Sequence, residues 1–335
     1  MNDRRRLLAS TIALGLLPVA KSHAQSTSGP PLSFIVPQPA GNPTDGHARR
    51  LQPGLQRELG QVVLVENMPG AGGSLGVNRL LSAPAGTPML LVASQTESIL
   101  TPLSVKGARY TSENLRPVLL VNRGPYVLVA RPDLPANSFG ELLALARSRS
   151  AKPLSHGHIG NGSMIHLLGE RLARKAGIPL TQVPYKGVPP VIQDVIGGQI
   201  DVAFVPQSSA RDLIVNGRLK VFGTTGAVIS PKLPTALPIS KADAALADFV
   251  HGTWSAVFVA RTLREEDVAR LHKALTTVCH EAPFQAAVAA TGSDPAGTGL
   301  LYQYRVGTTA NVDASLVGST NWSLASEQTL PQGLL

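Results

Sequence analysis

Short apolar runs alternate with amphipathic stretches along the first third of the chain. The apolar runs cover residues 32–37, 61–66 and 89–94, and helical patterns at 44–60 and from about 76 to 81 separate them. Such alternation is typical of parallel strands that are covered by helices on both faces. The pattern therefore predicts an α/β fold.

A second series of strands and helices follows residues 115–133, where the sequence NRG separates two apolar runs that we expect to form two strands. A proline-rich stretch then leads to an apolar run at 253–261 and a helix at 264–282 with acidic residues in its first turn. We expect this returning segment to pack on the first series. The prediction is two α/β domains joined by two hinge crossings, with domain 1 at 30–122 and 232–335 and domain 2 at 123–231.

The first 24 residues have the pattern of an export signal. A basic start, MNDRRR, precedes the apolar run LLASTIALGLLPVA, and SHA before Gln25 resembles a cleavage site. We expect a signal peptide at 1–24 and a periplasmic protein. Export follows the Sec route or the twin-arginine route, because Arg4 to Leu8 also fit a twin-arginine pattern. An uncleaved membrane anchor is the alternative.

Charge and cysteine content narrow the function classes. The formal net charge is +9, and removal of residues 1–24 leaves 26 Lys and Arg against 20 Asp and Glu. A modest, dispersed positive charge favours small anions as ligands. The absence of a basic run and the 4 % aromatic content argue against nucleic acid as a binding partner. Cys279 is the only cysteine, and its helical context predicts a buried structural thiol.

The glycine-rich segment PGAGGSLG, residues 69–76, admits an enzymatic interpretation. Gly70, Gly72 and Gly76 follow a strand and open a helix, and Glu97 lies 21 residues further on, where a dinucleotide fold places its ribose-binding acid. An exported hydrolase or NAD(P)-dependent oxidoreductase is therefore the alternative function. The simpler interpretation is a tight turn that requires positive φ.

Two other loops offer backbone N–H groups to an anion. PQPAGNPTD (37–45) is stiffened by prolines and ends at a helix start that Thr44 or Asp45 can cap. In the second domain, Gly157–Ser163 also presents backbone N–H groups just before a helix. Neither loop carries a P-loop lysine. No Ser/His/Asp arrangement emerges, and His158 and His166 lack the spacing of a metal pair, so we predict no catalytic residue, metal or cofactor.

Four segments carry a family resemblance: PQPAGNPTD, VVLVENMPGAGGSLG, SHGHIGNGSMIHLLGE and VPYKGVPPVIQDVIGGQIDVAF. In order and spacing they resemble the Bug-type periplasmic solute receptors, the substrate-binding proteins of tripartite tricarboxylate transporters, from about Leu32 to Pro283. The resemblance implies a type II periplasmic-binding-protein fold that closes on a small organic carboxylate. It also implies a monomer that delivers the ligand to the transporter's membrane subunits, with a sensor protein as the other possible partner.

The resemblance further implies a ligand site formed by loops of both domains. Its predicted members are Pro39, Ala40, Gly41, Thr44, Asp45, Gln95, Thr96, Glu97, His158, Ile159, Gly160, Asn161, Gly162, Ser163, Tyr185 and Val205.

Several positions depart from the family pattern. Val205 stands where amino-acid-binding relatives often have an aspartate, which argues against an amino-acid ligand, and Ala40–Gly41–Asn42 replaces a run richer in glycine. Glu97 would repel a carboxylate if it faced the cleft, and has no such effect as a surface charge. Tyr185 fits a core aromatic equally well.

Overall fold

The computed structural model describes residues 30–84 and 86–296. The predicted signal peptide and the part of predicted domain 1 beyond residue 296 lie outside the described residues. Within the described part of the chain, no helix combines the length and the apolar character needed to cross a membrane.

Strands and helices alternate as the hydrophobic pattern predicts. The strands are β1 (Leu32–Val36), β2 (Val63–Asn67), β3 (Met89–Ser94), β4 (Leu115–Ala130), β5 (Leu154–His158), β6 (Leu180–Pro184), β7 (Val202–Pro206), β8 (Lys220–Thr224), β9 (Gly252–Ala260) and β10 (Asp294–Pro295). The helices are α1 (Pro43–Leu59), α2 (Ser74–Leu81), α3 (Thr101–Ser104), α4 (Phe139–Ser148), α5 (Met164–Ala176), α6 (Val188–Ile196), α7 (Gln207–Val215), α8 (Glu265–His280) and α9 (Ala282–Ala290).

The strands are ordered β2-β1-β3-β9-β4-β7-β5-β6, and β8 and β10 also pair with β4. The pairs β1–β2 and β1–β3 are parallel, as are β5–β6 and β5–β7. The strands β4 and β9 instead pair antiparallel with their neighbours. The prediction of parallel strands therefore holds at the two ends of this order and fails at its centre.

One long strand, β4, connects the two halves of the molecule. The prediction of two strands separated by NRG is wrong, because Asn122 and Arg123 stay in the strand and pair with Ser255 and Trp254 of β9. Pairing with β9 ends at Pro125, and pairing with β7 begins at the next residue, Tyr126. Backbone partners in distant segments thus keep a locally polar tripeptide extended.

Each half has its own hydrophobic core. In the first half, one cluster lies between the sheet and helices α1, α8 and α9, and a second cluster packs α2 on the opposite face. Cys279 is fully buried in the first of these clusters, as predicted for a structural thiol. The second half is built around one large cluster that includes the C-terminal part of β4 and helices α4, α5 and α6.

The second core extends further along the chain than the sequence indicates. Side chains from Leu233 to Phe249 pack into it, although the predicted boundary of domain 2 is residue 231. The return to the first half follows His251, whose N–H donates to the Thr225 carbonyl 2.9 Å away, just before β9 begins. We therefore place the second crossing near residue 251.

Candidate functional site

The loop between β1 and α1 is fixed from inside the first half. Asp45 is buried in the first turn of α1, where one carboxylate oxygen accepts from the Gly41 N–H at 2.9 Å. Arg49 and Asn67 donate to the same carboxylate at about 3.0 Å. Burial alone would raise the pKa of Asp45, but these hydrogen bonds outweigh it and hold the pKa below its ordinary value. Asp45 therefore shapes the loop.

A chain of hydrogen bonds lies beneath this loop. The Thr44 hydroxyl donates to Gln38 Oε1 at 2.7 Å, and Gln38 Nε2 donates to the Glu97 carboxylate. Glu97 also accepts from the Ser94 N–H at 2.9 Å and from the Ser94 hydroxyl at 2.7 Å. Burial raises the pKa of Glu97, and the bonds from Ser94 and Gln38 act in the opposite direction.

The structure resolves the two interpretations of Glu97. The residue is only 2 % exposed, so a surface charge is excluded. A Cβ atom on Gly73 would lie 2.5 Å from Glu97 Cγ, so the Glu97 side chain packs against the glycine turn inside the first half. Its carboxylate accepts hydrogen bonds from Ser94 and Gln38.

The loop between β5 and α5 has the geometry that its glycines predict. Gly160 and Gly162 have φ values of 114° and 78°, which favour glycine. Ser163 is the N-cap of α5: its hydroxyl accepts from the His166 N–H at 3.3 Å and donates to the Gly160 carbonyl at 2.7 Å. His158 supports the loop from below, where its Nδ1 accepts from the Gly160 N–H at 3.2 Å.

The two halves touch directly at these loops. Asn42 Oδ1 accepts from the Val188 N–H at 3.0 Å, at the first residue of α6. The Thr96 hydroxyl accepts from the Met164 N–H at 3.4 Å, at the first residue of α5. A Cβ atom on Gly162 would lie 2.2 Å from Ser104 Oγ, which makes this glycine a point of close approach. The structure is thus a closed arrangement.

The hinge side is formed by Gln95 and Tyr126. Gln95 Nε2 donates to the Tyr126 hydroxyl at 2.9 Å and to the Gly252 carbonyl at 3.1 Å. Tyr126 lies where β4 passes between the halves, and Gly252 begins β9. Gln95 therefore links the third strand of the first half to both crossings.

Helix N-termini supply the positive potential where the loop at 37–45 faces the loop at 157–163. These two loops are called the facing loops below. Helices α1, α5 and α6 all begin there, and Lys186 is the one Lys or Arg within residues 37–45, 94–101, 157–163 and 185–188. N-terminal N–H groups and helix dipoles favour a small anion at such a position. Among the described residues, no group of three His, Cys, Asp or Glu side chains could hold a metal ion.

The structure brings most predicted site residues to the facing loops, with two exceptions besides Glu97. Val205 is fully buried in the second core and pairs with Val127 in the sheet, so its side chain packs against protein. Tyr185 is partly buried against the same core, and its hydroxyl donates to Asp194 within the second half at 2.7 Å. The sequence pattern marks Asn42 as tolerant of unusual dihedrals and as a departure from glycine, and it does not single out Gln38 or Ser94.

The glycine turn of the alternative function has a structural explanation. Gly70, Gly72 and Gly73 have φ values of 129°, 65° and 90°, so the segment is a turn that requires glycine. It follows β2, the edge strand of the sheet, whereas a dinucleotide motif follows the first strand. Glu97, the candidate ribose acid, is already bound to Gln38 and Ser94.

Two α/β halves with helix N-termini on facing loops define a bilobal small-molecule binding protein. Residues 47–299 match the family described as the tripartite tricarboxylate transporter family receptor. A UPF0065 protein of Agrobacterium vitis is 31% identical over 81% of this chain and 78% of its own length. The chain therefore belongs to the tripartite tricarboxylate transporter receptor family, which confirms the predicted resemblance.

Solved structures agree with this assignment. The periplasmic binding protein BugD is 27% identical, with a TM-score of 0.74 over 80% of this chain and 89% of BugD. MatC from Rhodopseudomonas palustris with bound malate is 26% identical, with a TM-score of 0.73 over 78% of this chain and 89% of MatC. These matches confirm the predicted fold class and give no support to a hydrolase or oxidoreductase.

Proposed function

We propose that this chain captures a small organic carboxylate in the periplasm and delivers it to the membrane subunits of a tripartite tricarboxylate transporter. The observation that carries the proposal is the meeting of three helix N-termini at the facing loops of the two halves. The family match and the malate-bound relative support a carboxylate as the ligand. We also propose that residues 1–24 direct export and that the protein is a monomer.

The ligand acts by stabilising the closed arrangement. Contacts between the halves exist at Asn42 and Thr96, and a carboxylate adds bonds from N–H groups of both loops. Moving a two-state equilibrium from 1:99 to 99:1 requires a differential affinity of about 5.5 kcal/mol. A few charge-assisted hydrogen bonds of roughly 1.5–3 kcal/mol each supply that difference.

Isothermal titration calorimetry on the chain without residues 1–24 tests the proposal. The panel is malate, succinate, benzoate and glutamate, which vary the number of carboxylates, the apolar body and the ammonium group. We expect saturable binding of at least one acid without an ammonium group, and recovery of that acid unchanged after incubation. No binding by any acid, or conversion of an acid to a product, would contradict the proposal.

A further inference from the structure

A groove of about 480 Å³ lies beside the loop before α1, and Gly41, Asn42 and Val188 are part of its lining. One wall is a single face of α1, formed by Pro43, Gly46, His47 and Arg50 at helical spacing. Helices α6 and α7 of the second half form the other wall. The volume is within the range of sites for small organic molecules.

The wall of the second half combines apolar and polar groups. Its apolar side chains include Ile192 and Ile196 of α6 and Leu213 of α7. Ser208 and Ser209 contribute hydroxyls near the start of α7. Among residues 30–84 and 86–296, no acidic side chain lines the groove. This lining suits a molecule with an apolar body and an anionic group.

His47 is a buried polar group on this groove that has no partner. Its side chain is only 2 % exposed, and neither ring nitrogen has a hydrogen-bond partner within the described residues. Burial, together with the neighbouring Arg50 charge, lowers the pKa of His47 to about 3, so the ring is neutral and has one donor and one acceptor. Both ring nitrogens are enclosed by protein, so the ring forms part of the groove wall and does not hydrogen-bond to a molecule in the groove.

Two cations at the groove have no counter-ion. Arg50 and Arg218 are exposed, and neither guanidinium forms an ion pair or hydrogen bond with another described residue. The neighbouring Arg49, in contrast, is paired with Asp45. A Cβ atom on Gly46 would lie 2.8 Å from Arg50 Nη1, so the glycine leaves room for the guanidinium along α1. Glycine inside a helix lowers helix stability, so the space that Gly46 leaves for the Arg50 guanidinium comes at a cost in stability.

We propose that the groove is a second binding site, for a small organic anion with an apolar body such as an aromatic carboxylate. Its carboxylate lies with Arg50 and Arg218, and its body contacts the apolar side chains of α6 and α7. Because the walls belong to different halves, an anion bound here stabilises the closed arrangement. The groove shares Gly41 and Asn42 with the loop before α1 and includes no residue of the loop before α5.

Photo-crosslinking with a benzoate that carries a para-diazirine tests the groove and the loops separately. After irradiation and tryptic digestion, mass spectrometry quantifies label in residues 187–220, which include α6 and α7, and in residues 150–171, which include the loop before α5. We expect label in 187–220 that falls about tenfold or more in the double variant Arg50→Gln/Arg218→Gln, because charge-assisted bonds are lost. Both arginines are exposed, so the variant should retain the parent's circular dichroism spectrum.

Two further variants make the result specific. Arg57→Gln removes the same charge from α1 at a position outside the groove, and it should leave the label in 187–220 unchanged. Gly46→Ala improves helix propensity but displaces the Arg50 guanidinium, so it should lower that label without loss of stability. Absence of label in 187–220, or label that the double variant leaves unchanged, would overturn the groove site. Absence of label in 150–171 would count only against benzoate binding between the loops.

Discussion

Asn42 shows what a single residue adds to the closed arrangement. Its side chain accepts from the Val188 N–H, 146 residues away, and donates to the Pro39 carbonyl at 3.1 Å. The sequence marks Asn42 as a departure from a glycine-rich run, but a contact between two halves depends on how they close. Local patterns contain no information on that closure.

Asn42→Gly should shift the ligand-free protein toward an open arrangement. One hydrogen bond between the halves contributes about 0.5–1.5 kcal/mol, so the ratio of open to closed molecules should rise about two- to tenfold. Small-angle X-ray scattering of the ligand-free protein should show a larger radius of gyration. Asn42→Asp keeps an oxygen acceptor for the Val188 N–H and serves as the control. Identical scattering from the parent and the glycine variant would contradict this role.

Glu97 illustrates why a charged residue is hard to assign from sequence. The sequence leaves a cleft position and a surface charge open, and the structure excludes the surface, because it buries the side chain against Gly73 with bonds from Ser94. Charged residues are seldom fully buried unless they are paired or hydrogen-bonded. The Gln38 and Ser94 donors that make this burial tolerable come from two separate strand ends, and their convergence is a property of the folded sheet.

Glu97→Gln should change how stability depends on pH. Because burial raises the pKa of Glu97 in the folded protein above its ordinary value of 4.5, its contribution to the free energy of unfolding is largest at low pH and is lost as the pH rises through the folded pKa. Urea unfolding should therefore show that the variant gains stability relative to the parent between pH 5 and pH 8. A difference between the two proteins that is constant with pH would contradict the raised pKa.

At the scale of elements, the loop before α5 was predictable because its signals are local. Positive φ at Gly160 and Gly162 and a serine N-cap follow directly from residue type. The continuity of β4 was not predictable in the same way. Its NRG segment has turn-like composition, and only pairing with β9, more than a hundred residues later, keeps it extended.

Ser163→Ala separates the structural role of a cap from a role in binding. Ser138 caps α4 in the same manner, accepting from the Glu141 N–H at 3.2 Å, but it lies outside the predicted site. Each alanine substitution should lower the free energy of unfolding by about 1 kcal/mol. Only Ser163→Ala should also weaken carboxylate binding, about three- to tenfold, because its loop loses a hydrogen bond. Equal affinities of the two variants in calorimetry would remove Ser163 from the site.

At the scale of the whole molecule, the sequence predicts two α/β halves with a chain that crosses twice. The order of apolar runs is sufficient for that architecture, since each half repeats the strand and helix alternation. The packing of Leu233 to Phe249 on the second core was not predictable. This segment is rich in proline and has no long helix or strand, so its pattern does not indicate which half it covers.

Buried histidines should make the molecule unstable in acid. Burial lowers the pKa of His47 to about 3 and those of His156 and His251 to about 4. Below pH 6.5, the ordinary pKa of histidine, the unfolded chain binds protons that the folded protein excludes. Each histidine therefore lowers the free energy of unfolding by about 1.4 kcal/mol per pH unit across that interval.

Urea unfolding of the parent and His251→Phe between pH 7 and pH 4.5 measures this effect. His251 already packs edge-on against Phe249, with ring centroids 5.2 Å apart, and neither of its ring nitrogens has a hydrogen-bond partner among the described residues. The variant should lose stability less steeply as the pH falls. Equal slopes for the two proteins would show that His251 does not contribute.

A crystal structure of the chain with the carboxylate that calorimetry selects tests the central claim most directly. We expect the acid between the loop after β1 and the loop before α5, with its oxygens bonded to N–H groups from both halves. An acid bound with high occupancy elsewhere, with the facing loops in contact only with each other, would contradict the account.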